Sequence, residues 1–104
     1  MVETHAVIRQ RADLHLDSLI SLVDDLPGLD NEWEEMTESA QASMSLEWDH
    51  LMADVLTELA EYARDGLLSP DQQERYQDLK RKLKALLPLI QKLNWYRPPI
   101  PLEA

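Results

Sequence analysis

The chain has no cysteine, no phenylalanine, two glycines and only 6% aromatic residues in 104 positions. Each scarcity removes a class of protein. Without cysteine there are no disulfides, no thiolate metal sites and no thiol nucleophile, and nothing calls for an oxidising compartment. Two glycines cannot build the glycine-rich turns that cradle phosphates, so a P-loop and a dinucleotide fingerprint are both absent and an enzyme with a nucleotide cofactor is not expected. Without phenylalanine the core must be made of Leu, Ala, Met, Val and Ile. No stretch approaches the roughly 18 uncharged residues of a membrane span, and the first residues mix charges of both signs. The chain therefore reads as soluble, unprocessed and cytoplasmic, without membrane contact.

Basic residues are also scarce, ten against twenty acids, for a formal net charge of −10. Their distribution is uneven. Residues 1–69 hold sixteen acids against Arg9, Arg11 and Arg64, whereas residues 70–104 hold seven bases against four acids. A surface of this sign repels phosphate polymers and anionic lipid and attracts cationic partners. The run Lys80-Arg81-Lys82-Leu83-Lys84, with Arg75 and Lys92, is expected to dock on the acidic face of the second helix, in the same chain or a dimer mate. Direct nucleic-acid binding, which needs a basic footprint, is not expected.

The periodicity is that of an all-α protein, with no sustained alternation of two that would mark a strand. Ile8, Ala12, Leu16, Leu19, Val23 and Leu26 recur at steps of four and three, which predicts a helix over about 3–26 stopped by Pro27-Gly28. A second helix is predicted over about 31–67, capped by Asp30 or Asn31 and striped by Trp33, Met36, Ala40, Met44, Trp48, Leu51, Val55, Leu59 and Ala63. The small polar stretch Ser39–Ser45 is read as lying inside one continuous helix. Ser69-Pro70-Asp71-Gln72 is a capping box with proline at the first helical position, opening a third helix over about 70–94 that Pro88 kinks. After it the proline-rich tail, 95–104, should be extended and lie across an open end of the core. The expected architecture is a single helical domain over 1–104. It is a three-helix, up-down-up antiparallel arrangement with a long central helix whose ends are incompletely covered, which favours a homodimer or a dedicated protein partner.

Three groups could carry chemistry or binding. Glu47, His50 and Asp54 fall on one helix face as a Glu-x-x-His step, the unit of di-metal carboxylate bundles, but one motif cannot fill such a site without a dimer. A solvated acidic ridge explains the same residues, so no metal or other cofactor is expected. The overlapping Glu-x-x-Glu steps of Glu32, Glu34, Glu35 and Glu38 lack the Glu-x-x-Asp partner of an all-α nucleotide pyrophosphatase, and they suit a helix start. The large side chains Trp33, Met36, Trp48, Trp95, Tyr96 and Ile100 are the expected partner-binding anchors, because aromatic residues dominate interface energetics. The reading is a non-catalytic interaction module: an adaptor, regulator or complex subunit. The acid density allows a second one, a DNA-mimic inhibitor of a basic nucleic-acid-binding protein. A dimeric ferritin-like metal bundle using Glu47 and His50 is the third.

Overall fold

The computed structural model describes residues 5–102, and over them the chain is helical without any strand. Helix α1 runs from His5–Glu32, and its 28 residues give about 42 Å of rise, close to the 46 Å longest dimension of the molecule. A 3₁₀ turn, Trp33–Glu35, leads to α2, Glu38–His50. A π-helical segment, Leu51–Leu56, joins α2 without interruption to α3, Thr57–Arg64. Helix α4, Pro70–Ala85, and the short α5, Leu87–Lys92, complete the set.

Pro27-Gly28 does not end α1, contrary to the sequence expectation. Proline costs the helix one hydrogen bond, but Leu26 and Leu29 on either side are buried, and their burial carries the helix on to Glu32. The second helix correspondingly starts later than the expected residue 31. Its N-cap is Thr37, whose hydroxyl accepts from the Ala40 amide at 3.1 Å, while the carboxylate of Asp30 is engaged instead by Lys92 at 2.8 Å. Residues 39–45 all lie within α2.

The π-helical segment has a reason in the sequence. Trp48, Met52 and Leu56 are fully buried at steps of four, which overshoots a turn of 3.6 residues. The wider π turn absorbs the overshoot and keeps all three on the core side. Helix α3 then ends in a Schellman motif. Gly66, at φ 73°, donates to the Ala63 carbonyl and Leu67 donates to that of Tyr62. Asn94, at φ 57°, closes α5 the same way, with the Trp95 amide donating to the Ile90 carbonyl.

The capping box at Ser69 forms as the sequence indicates, and its glutamine has a second role. Gln72 is 3% exposed. Its oxygen accepts from the Ser69 amide at 3.0 Å, while its Nε2 donates to the Arg9 carbonyl and to Asp13 Oδ1, each at 2.7 Å. One side chain thus caps α4 and clips it to α1. At Pro88 the third helix does more than kink: α4 stops at Ala85, and Pro88 sits in the first turn of a new helix, where its missing amide costs nothing. The core joins Leu16, Leu19, Val23 and Leu26 of α1 to Met52, Leu56 and Leu59 of the middle helices and to Leu79 and Leu83 of α4.

Candidate functional site

Helix α1 carries acids on two flanks, and the two have different fates. On one flank Arg75 reaches Asp13 at 3.5 Å and Asp17 at 2.6 Å, Lys82 reaches Asp24 at 2.8 Å, and Lys92 reaches Asp30 at 2.8 Å. Residue numbers rise together in these pairs, so α4 and α5 follow α1 in its own direction. The basic helix therefore docks on the first helix and not, as expected from sequence, on the second. The reason is that Leu79 and Leu83 pack on the α1 seam and bring the flanking cations to the aspartates beside it. Bonding to Asp30 holds the Lys92 ammonium above its ordinary value of 10.5, with Glu34 adding to the effect. Asp30 stands in the last turn of α1, where the helix dipole disfavours an anion and a cation is most useful.

The other flank faces α2 across an open trough. Two adjoining cavities of about 460 and 420 Å³ share Leu22, Asp25 and Met44, and so form one depression along α1 from Ser18 to Glu32. Its apolar lining is Leu22, Leu26 and Leu29 of α1, Met36 before α2, Met44 of α2 and Leu51. Its rim is Asp25, Glu32 and Glu47, and no Lys, Arg or His lines either cavity. The trough exists because α2 has almost no buried face: Trp48 is its sole buried residue. Gly28 forms part of the wall, and a Cβ placed on it would meet nothing within 4 Å.

Of the expected anchors, Met36 alone lines this trough. Trp33 is half-buried and meets Trp95 edge to face, with centroids 5.6 Å apart. Trp48 is fully buried 5.1 Å from Trp95, and its Nε1 donates to the Tyr96 carbonyl at 2.6 Å. These three tryptophans pin the tail to the body of the molecule. Along the tail Pro98 and Leu102 are buried, Tyr96 is 49% exposed, and Ile100 lies half-buried in a cleft between α3 and α4. Leu22 and Gly28 were missed as site residues. An apolar residue beside the stripe and a supposed helix stop carry no mark in sequence of facing an open groove.

A polar cluster ties α1 to α3 elsewhere. Glu58 accepts the Tyr62 hydroxyl proton in a short hydrogen bond, and Arg11 lies 3.4 Å from the same carboxylate. His15 Nε2 approaches Glu58 to 3.4 Å, close enough for an ion pair yet too poorly aligned for a hydrogen bond. The Tyr62 bond, with His15 and Arg11, holds Glu58 below the ordinary 4.5 despite opposing burial, whereas burial and Glu58 push the Tyr62 phenol above 10.0.

His50 contacts Asp54 at 2.9 Å on the exposed surface, and Glu47 stands on the trough rim instead. Among the described residues no three His, Asp or Glu side chains converge in a way that could hold a metal ion. No described helix is long and apolar enough to cross a membrane. The sequence matches no protein-family model, and neither a curated protein nor a solved structure matches the chain.

Proposed function

We propose that this protein is a non-catalytic, cytoplasmic interaction module, an up-down-up helical domain that works as an adaptor, regulator or complex subunit through a dedicated protein partner or a second copy. The observation that carries the reading is the asymmetry of α1. One acidic flank is neutralised by α4 and α5, while the other, beside an apolar trough, has no ion-pair partner among the described residues. A half-buried apolar trough bounded by unpaired charge is the form a docking surface takes. Methionines suit it, since their flexible thioethers repack around an incoming side chain.

Native mass spectrometry of the untagged protein tests this reading. A dimer, or a complex with another protein, is expected, and Met36→Asp should weaken it while circular dichroism stays unchanged. A monomer with no protein bound at any accessible concentration overturns it.

A DNA-mimic inhibitor is the second reading, supported by the exposed carboxylates Glu34, Glu35, Glu38, Asp49 and Glu61, which have no ion-pair partner among the described residues. Binding to a basic nuclease or repressor that falls steeply with salt and is insensitive to Met36→Asp would favour it over the trough.

A further inference from the structure

We infer that the trough between α1 and α2 receives a basic amphipathic helix from a partner protein, an inference that rests on the interaction-module reading above. Charge complementarity and the molecule's own packing argue for that occupant. Helix α1 already takes one such helix on its opposite flank: α4 sets Leu79 and Leu83 on the α1 seam and brings Arg75 and Lys82 to the aspartates beside it. The trough repeats the receiving half of that arrangement. Leu22, Met36 and Met44 offer the apolar floor, and Asp25, Glu32 and Glu47 offer the carboxylates, with no cation along its walls. Asp24 and Asp25 make the duplication concrete: the first is paired to Lys82 across α4, and the second, its neighbour in sequence, lines the trough. The distance from Ser18 to Glu32 along α1 is about 21 Å, which matches roughly four turns of an incoming helix. A helix with apolar residues at i, i+3, i+4 and i+7 and Lys or Arg along the margins fits it; an acidic helix does not. A second copy of this chain would bring its own carboxylates to the same rim.

Gly28 supplies the sharpest probe. It is helical, has no positive φ, and faces open space. Neither the backbone nor the packing requires glycine there, and its missing side chain widens the trough.

The test uses the full chain and two synthetic peptides of about 18 residues. One has leucine at helical spacing with lysine elsewhere, and the other has glutamate in place of lysine. Fluorescence anisotropy should show binding of the Leu/Lys peptide alone. Gly28→Leu should weaken it roughly tenfold or more while the melting temperature does not fall. The double variant Asp25→Lys, Glu47→Lys should abolish it and admit the Leu/Glu peptide. Asp49→Lys with Glu61→Lys makes the same change of net charge away from the trough and should leave affinity within about twofold. Equal losses in both double variants, or wild-type binding by Gly28→Leu, would reduce the attraction to bulk charge and overturn the inference. Absence of peptide binding, together with a dimer that Gly28→Leu dissociates, would give the trough to a second copy; that overturns the inference and keeps the interaction-module reading. Absence of both would sink the two together.

Discussion

Single residues here are legible through what their backbone and surroundings demand. The two glycines behave oppositely. Gly66 holds φ 73° in the Schellman turn, where a side chain strains the backbone. Gly28 is an ordinary helical residue facing empty space. Gly66→Ala should therefore cost about 1 kcal/mol, and Gly28→Ala should stabilise the protein by about 1 kcal/mol, because alanine restricts the unfolded chain and favours the helix. Paired urea denaturation curves check the opposite signs. Gln72 is the third informative residue. Its amide serves the Ser69 cap, the Arg9 carbonyl and Asp13 while 3% exposed, so Gln72→Leu removes all three bonds and should cost about 2 kcal/mol. Gln72→Glu should be no cure. It keeps an acceptor for Ser69 but places a second carboxylate against Asp13.

At the scale of elements, the start of α4 was readable in full, since the serine, proline and glutamine of a capping box act within four consecutive residues and need no tertiary help. The end of α1 was not. Pro27-Gly28 is a stop by local rules, and burial of Leu29 with the Asp30–Lys92 pair overrides it, which only the position of α5 reveals. The packing of the tryptophans was hidden for the same reason. A tryptophan at a stripe position faces a neighbour, but whether that neighbour is a partner protein or the chain's own tail is decided by where residues 95–102 lie. The trough was invisible because it is an absence between two elements. The contact of α1 with α3 gives an element-scale prediction. Glu58 has a lowered folded pKa, so its contribution is present above the ordinary value of 4.5 and is lost as pH falls through the folded value. Glu58→Gln should lower the melting temperature at neutral pH and remove part of the wild type's decline below about pH 4.5, as thermal melts in a pH series would show.

For the whole molecule, the deciding balance is between paired and unpaired charge. The cross-helix contacts of Asp13, Asp17, Asp24 and Asp30 all lie at the surface, where water and salt screen them and each contributes little to stability. They use three of the ten basic residues, Arg75, Lys82 and Lys92, and four of the twenty acids, so the remaining charges sum to −9, with Asp25, Glu32 and Glu47 among them at the trough. Salt weakens both the pairs and the repulsion, but unequally. The pairs act at contact distances well inside the screening length, whereas the repulsion acts between exposed carboxylates spread over a molecule 46 Å long and is strongest when the screening length is comparable to it, about 30 Å at 0.01 M salt. Raising salt toward about 0.15 M, where that length is about 8 Å, should therefore increase the melting temperature of the isolated protein. A basic helix seated in the trough supplies the missing cations locally. With it bound, the same titration should lower the melting temperature, so the sign of the salt dependence, read by differential scanning calorimetry with and without the Leu/Lys peptide, reports whether the unpaired flank of α1 has been filled.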